Sequence, residues 1–243
     1  EFLSSLNQIP AQEWNAVAGN DYPFGRHEFL QGLEQTGCTN ADTGWQSCHL
    51  LLRDEAGVLA LMPMYLKSHS YGEYVFDWSW ADAWQRSGLD YYPKLVTAIP
   101  FTPATGPRLF LRPGADLNAA WNTALAAVRQ FAARQSISSW HVLFPERHTA
   151  DWLLEQGLHR RTATQFHWFN EGYTSFEDFL TSFTSRKRKS LRRERARVVE
   201  QGLTLKTLCG AEIAQEQWEQ FHHFYQLTYA KRSGHGGYLT RGF

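Results

Sequence analysis

Two strand-forming runs separated by a turn constrain this chain most. His49 to Arg53 and Val58 to Lys67 are rich in apolar residues, and Asp54-Glu55-Ala56-Gly57 between them reads as a hairpin connection. A hairpin commits the chain to a sheet, and the flanking sequence supplies helices to cover it. Gln12 to Val17 reads as a short helix. Arg26 to Gly37 reads as a second, with Phe29, Leu30 and Leu33 on one face and Gly37 as a stop. Asn118 to Arg134 repeats Trp121, Leu125, Val128 and Ala132 at helical spacing, with Asn118 as the expected cap. Trp80 to Arg86 and Thr149 to Gln156 are shorter helical readings. Arg108 to Leu111, Ser139 to Phe144, Arg161 to Phe169 and Leu203 to Leu208 are expected strands. From Phe176 a long helical stretch begins, with Phe183 to Glu200 closed by Gly202, and Gln217 to Tyr229 is the last expected helix. The order predicts an α/β (α+β) fold, a mixed and mostly antiparallel sheet with flanking helices.

Composition narrows the class. Hydrophobic residues are 43% of the 243, enough for a substantial core and against intrinsic disorder. Lys+Arg and Asp+Glu are both 24, so a globally basic nucleic-acid binder is not indicated. The distribution is uneven: eight of the cations fall in the twelve residues Arg186 to Arg197, opposed there by Glu194 alone. Cys38, Cys48 and Cys209 are odd in number with no CxxC, and the histidines form no HExxH, so reduced thiols and no metal site are expected. No apolar run of 18 residues predicts a transmembrane helix, and Glu1 to Ser5 lacks a signal-peptide pattern; a cytoplasmic protein is the expectation.

Three regions carry candidate chemistry. The first runs from Glu73 to Asp82 and on through Tyr91-Tyr92-Pro93-Lys94. Its rings (Trp78, Trp80, Tyr91, Tyr92) offer contact area, Asp77 a base or amine anchor, and Lys94 a contact for a carboxylate or phosphate. The second, Ile99 to Arg108, is stiffened by Pro100, Pro103 and Pro107 and offers the hydroxyls of Thr102 and Thr105 and the cation of Arg108. Asp77, Trp78, Tyr92, Lys94, Thr102 and Arg108 are expected to converge on one concave surface. A packed core edge and a stiff connector are the bland alternatives. The third region is the basic helix, where Arg188, Lys189, Arg192, Arg193 and Arg195 are candidate polyanion contacts; a solvated helix face is its alternative. Lys231 to Gly236 matches only part of a [QR]xxGx[GA] pyrophosphate loop and reads better as a glycine turn. No GxSxG, Walker A or GxGxxG motif is present.

Pro23 to Leu30, Gly72 to Ala81, Tyr91 to Leu95, Ile99 to Arg108, Arg186 to Leu203 and Thr228 to Arg232 resemble, in order, the signatures of the FemAB-like peptidoglycan biosynthesis/recognition family, related to the GNAT superfamily of N-acetyltransferases. The resemblance implies a GNAT-like first domain over 1–172, then a basic helix and the start of a truncated second such domain over 173–243. It implies N-acyl or aminoacyl transfer to an amine of a cell-wall-like or peptide acceptor. Acetyl-CoA or aminoacyl-tRNA is the implied donor, with tRNA a candidate partner of the basic helix. A non-catalytic glycan, peptide or RNA recognition protein is the alternative. The family pattern runs on past Phe243, and Gly25 stands where it has a larger apolar residue, which implies a looser loop.

Overall fold

The computed structural model describes residues 1–243. In chain order the elements are β1 (Phe2–Leu3), α1 (Ala11–Ala18), α2 (His27–Gln35), β2 (Trp45–Ser47), β3 (His49–Asp54), β4 (Gly57–Met62), β5 (Met64–Lys67), α3 (Trp78–Arg86), β6 (Lys94–Thr97), β7 (Phe110–Leu111), α4 (Leu117–Arg134), β8 (Trp140–Val142), α5 (Arg147–Glu155), α6 (Phe176–Thr181), α7 (Ser185–Glu200) and α8 (Gln215–Ser233). Two compact units form, residues 1–159 with 222–243, and residues 160–221.

The first unit is mixed α/β. One sheet has the order β1-β3-β4-β7 and is antiparallel throughout; the other has the order β2-β5-β6-β8, antiparallel except for the parallel β6–β8 pair. The expected hairpin joins β3 and β4, with Leu50 opposite Met62. The run expected as one strand, Val58 to Lys67, is two. Pro63 has no N–H to give a ladder, and there the chain leaves the first sheet for the second. Cys48 marks the matching crossing between β2 and β3, tied by its N–H to the Met64 carbonyl at 2.9 Å. At this junction the buried His49 accepts from the Met64 N–H through Nδ1 (3.1 Å) and meets Glu34 through Nε2 (3.0 Å).

Both faces of the first sheet are covered, which is why His49 to Leu52 reads as apolar without alternation. Leu50, Leu52, Ala60 and Met62 pack with Trp121, Ala124 and Val128 of α4 and Leu153 of α5. Leu51 and Leu61 point the other way, against Trp14 and Val17 of α1 and Leu30 of α2. Trp14 and Leu30 are fully buried, each contributing about 1.5–3 kcal/mol. The loop before α2 is tight: a Cβ on Gly25 would collide with the Phe110 ring, and Trp14 Nε1 donates to the Gly25 carbonyl at 2.9 Å. Gly25 therefore permits close packing and does not loosen the loop.

Other boundaries shift for local reasons. Asp116, not Asn118, caps α4, its side chain accepting from the Ala119 N–H at 2.9 Å. β6 was not legible as a strand; its four residues are all buried and show no period-two pattern. In the second unit the long helical stretch is two helices, because Thr184 caps a new start at α7. Arg161 to Phe169 and Leu203 to Leu208 form no strand; they lie exposed and no partner strand meets them.

Candidate functional site

The second sheet of the first unit sets three long side chains in a row. Trp45 on β2 faces Lys67 on β5, and Lys67 faces Lys94 on β6. Both lysines are fully buried, an arrangement that needs compensating groups. They come from the segment between β5 and β6. Lys94 Nζ donates to Asp77 Oδ2 (2.6 Å), Ser70 Oγ (2.7 Å) and Glu73 Oε2 (2.9 Å). Tyr91 donates its hydroxyl to the same Asp77 oxygen at 2.7 Å, and the Tyr92 hydroxyl meets Ser70 Oγ at 2.8 Å. Glu73 Oε1 and Asp77 Oδ1 remain buried without a hydrogen-bond partner.

The two carboxyls titrate in opposite directions. Burial raises Glu73, and the nearby Lys94 only partly offsets it. Burial also pushes Asp77 up, but hydrogen bonds from Lys94, Ser70 and Tyr91 outweigh it and hold this carboxyl below its usual range. Burial brings Lys67 down to about 7 against the pull of Glu73 and Asp77. Lys67 makes no ion pair: its Nζ donates to the Tyr71 carbonyl at 3.3 Å and lies 3.7 Å from the Trp45 ring centroid.

Trp45 and Tyr71 also bound a cavity of about 450 Å³, together with Phe101, Tyr238, His69, His235 and Cys38. Trp45 Nε1 donates to the Tyr71 carbonyl at 3.1 Å, beside the Lys67 contact. Phe101 and Tyr238 stack at 4.9 Å with their planes 6° apart. Tyr238 is held by its own N–H, which donates to the Tyr225 hydroxyl at 2.8 Å.

The structure thus gathers Asp77, Tyr91, Tyr92 and Lys94 from the expected site. Trp78 and Trp80 are half-exposed on α3, Trp78 with its ring 4.9 Å from Tyr71. Thr102 bonds the Pro100 carbonyl at 2.9 Å, and Thr105 is exposed. Arg108 is buried and donates to the carbonyls of Leu143 (2.6 Å), Ala104 (2.6 Å) and Pro107 (2.9 Å), so its guanidinium fastens the proline loop; burial lowers its pKa. Lys67, Ser70, Trp45 and Tyr238 were missed; Glu73 and Phe101 lay in the candidate regions without an assigned role. Lys67 had a signal, a charged residue closing an apolar strand run.

In the second unit, α7 is exposed along the basic run. Arg192 pairs with Glu177 at 2.6 Å, Arg195 lies 4.1 Å from the Phe176 ring centroid, and Arg188 bonds the Phe183 carbonyl at 2.8 Å. Lys189 and Arg193 stand in solvent. Trp168, Tyr173, Phe176 and Phe179 border a shallow groove of about 540 Å³. No three His, Cys, Asp or Glu side chains are placed to hold a metal ion, and no helix is long and apolar enough to cross a membrane.

Comparison with known proteins gives three further findings. A solved structure similar to this chain is the aminoglycoside antibiotic 6'-N-acetyltransferase AAC(6')-Ih from Acinetobacter baumannii, at 12% identity and a TM-score of 0.38, covering 71% of this chain and 97% of that one. No curated protein matches the sequence. The family model for FemAB-like proteins, described as peptidoglycan biosynthesis/recognition, matches residues 5–243, and the chain belongs to that family.

Proposed function

We propose that the chain transfers an acyl or aminoacyl group to an amine of a cell-wall-like or peptide acceptor. The carrying observation is the buried Glu73–Lys94–Asp77 cluster, two carboxyls pushed in opposite directions around one lysine, each with one oxygen free. Attack of an amine on an activated acyl carbon needs a group to orient the amine and take its proton, and otherwise chiefly positioning and electrostatics. In this reading Asp77, which Lys94 keeps ionised, is the charged anchor for the acceptor amine. Trp78, Trp80, Tyr91 and Tyr92 form the approach, and Arg108 holds the loop that presents Thr102 and Thr105. The donor is acetyl-CoA or aminoacyl-tRNA, and the protein works in the cytoplasm, where both are made. In this reading residues 1–172 correspond to the first N-acetyltransferase-like fold and 173–243 to the start of the second, with 222–243 packed in the compact unit of 1–159.

Mass spectrometry of candidate amine acceptors, incubated with the protein and either donor, tests the proposal. An acyl-sized mass gain that Asp77→Asn removes supports it; no gain with either donor across peptide and amino-sugar acceptors overturns it. A second reading, RNA recognition without transfer, is favoured by the free cations Lys189 and Arg193 on α7.

A further inference from the structure

We infer that the cavity bounded by Trp45, Tyr71, Phe101 and Tyr238 is a binding site for an uncharged aromatic ring with a hydrogen-bond acceptor at one end. No residue of the Glu73–Lys94–Asp77 cluster lines it, and all its lining residues belong to the first unit, so the inference stands whether or not the chain transfers an acyl group.

Size and shape come first. About 450 Å³ lies within the range of small-molecule sites, and the four aromatic side chains that border it suit an apolar ring. The walls are set in advance. Phe101 holds a left-handed backbone conformation, φ +58°, which is rare for a bulky residue and needs support from its surroundings. Gly72, at φ +80°, leaves the space that Phe101 fills: a Cβ there would stand 2.7 Å from the Phe101 ring. Tyr238 stacks on Phe101, and its N–H is tied to the Tyr225 hydroxyl. Walls fixed before the ligand arrives lower the cost of ordering them.

The polar groups of the lining then select the ligand. None belongs to an Asp, Glu, Lys or Arg; Lys67 touches the Trp45 ring but does not line the cavity. A charged ligand would therefore shed water with no counter-ion to meet it. Most of the polar side chains that do line the cavity are already bonded. Thr43 Oγ1 accepts the Asn40 N–H (3.0 Å) and donates to the Asn40 carbonyl (3.1 Å). Cys38 Sγ takes the Thr240 N–H at 3.3 Å. His69 Nδ1 takes the Tyr71 N–H at 3.2 Å, and the same ring meets the Thr43 backbone. The Tyr238 hydroxyl meets the Gly72 backbone. Ser233, His235 and the half-exposed Tyr71 remain open. His235 accepts the Gly237 N–H through Nδ1 at 3.0 Å, so its neutral ring carries the hydrogen on Nε2, a donor. Its ring centroid lies 5.3 Å from that of Tyr238. Ser233 ends α8 and His235 follows it by two residues, so these open groups gather at one end of the cavity. A sugar, hydroxylated all round, would leave most of its hydroxyls unpaired against such walls; a flat ring with one polar end would not.

The test follows benzamide, benzoate and benzamidine on the full chain by saturation-transfer NMR and calorimetry at about pH 8, where imidazoles are neutral. The three share one planar shape and differ in charge. Benzamide should bind in the low millimolar range, about tenfold more tightly than either ion. Ethylbenzene, which lacks the acceptor, and methyl glucoside, which lacks the aromatic ring, should both bind more weakly than benzamide. Tyr238→Ala should abolish binding of benzamide. His235→Ala should weaken benzamide several-fold and leave ethylbenzene unchanged. An ion that binds as well as benzamide, a methyl glucoside that displaces it, or no saturation transfer to benzamide overturns the inference. The comparison among ligands uses the unaltered protein, so it decides even where a variant does not fold. No arm of it reads acyl transfer, so its failure and the failure of the proposed reaction are separate results.

Discussion

Lys67 and Lys94 face each other directly across the β5–β6 ladder, both fully buried, yet their charges are answered differently. Lys94 has two carboxylates and a hydroxyl; Lys67 has a ring face and one carbonyl. Lys94→Met strands Glu73 and Asp77 in the interior and should cost about 3–5 kcal/mol, the range for breaking a buried pair from one side. Lys67→Met removes a buried charge with no ion partner and should change stability by less than about 1 kcal/mol in either direction. Urea denaturation at pH 7 compares them, and equal losses would contradict the asymmetry.

Glu34 should confer acid sensitivity. Burial raises its pKa, but His49, Ser47 and the Leu6 N–H together outweigh that and hold it at about 2. A carboxyl lowered on folding stabilises the native state above its unfolded pKa of about 4.5, and that contribution is lost as the pH falls from there toward 2. Its size is on the order of 3 kcal/mol at neutral pH. Glu34→Gln should therefore lower the melting temperature at pH 7 and converge with the unaltered protein near pH 2. A constant offset between the two melting curves across that window would refute the assignment.

On α7 the cations divide by what they touch. Arg192 and Arg195 are engaged within the second unit, while Lys189 and Arg193 face solvent. Replacing Lys189 and Arg193 with Ala should leave the helical circular dichroism unchanged, because exposed charges add little stability. If the helix holds tRNA, filter binding at low salt should weaken several-fold for this pair, and the gap should narrow as salt rises. Unchanged affinity at low salt would remove α7 from any polyanion site.

The strands and helices that pack against both faces of the first sheet were legible because their apolar residues are spaced by burial. His49 to Asp54 and Leu117 to Arg134 are the clearest cases. What failed were elements whose signal depends on a partner far along the chain. β6 is buried along its whole length, its polar Lys94 and Thr97 included, and Arg161 to Phe169 shows strand-like residues that meet no ladder. Within the site, Asp77, Tyr91, Tyr92 and Lys94 could be read from their local density. Tyr238 could not, since a return of the chain over more than a hundred residues places it; Lys67 showed only as a charge closing an apolar run, and strand register sets what it meets.

Gly72 offers a direct test of how rigid the cavity is. Its left-handed backbone and the Phe101 ring 2.7 Å from a would-be Cβ leave no room for a methyl group. Gly72→Ala should cost about 1–3 kcal/mol through strain and overpacking. It should also shift the Trp45 fluorescence, since the indole nitrogen lies 3.2 Å from the same point. An alanine variant with unaltered stability and emission would show that Phe101 yields freely.

The stacking of Tyr238 on Phe101 carries a consequence for biosynthesis. Trp45, Tyr71 and Phe101 are made early, but the wall opposite them waits for Tyr238, roughly 140 positions after Phe101. At about 5–20 residues per second on the ribosome, that gap lasts on the order of 7–30 s. Throughout it the nascent chain presents an open aromatic face, a natural surface for a chaperone to hold until translation reaches Tyr238.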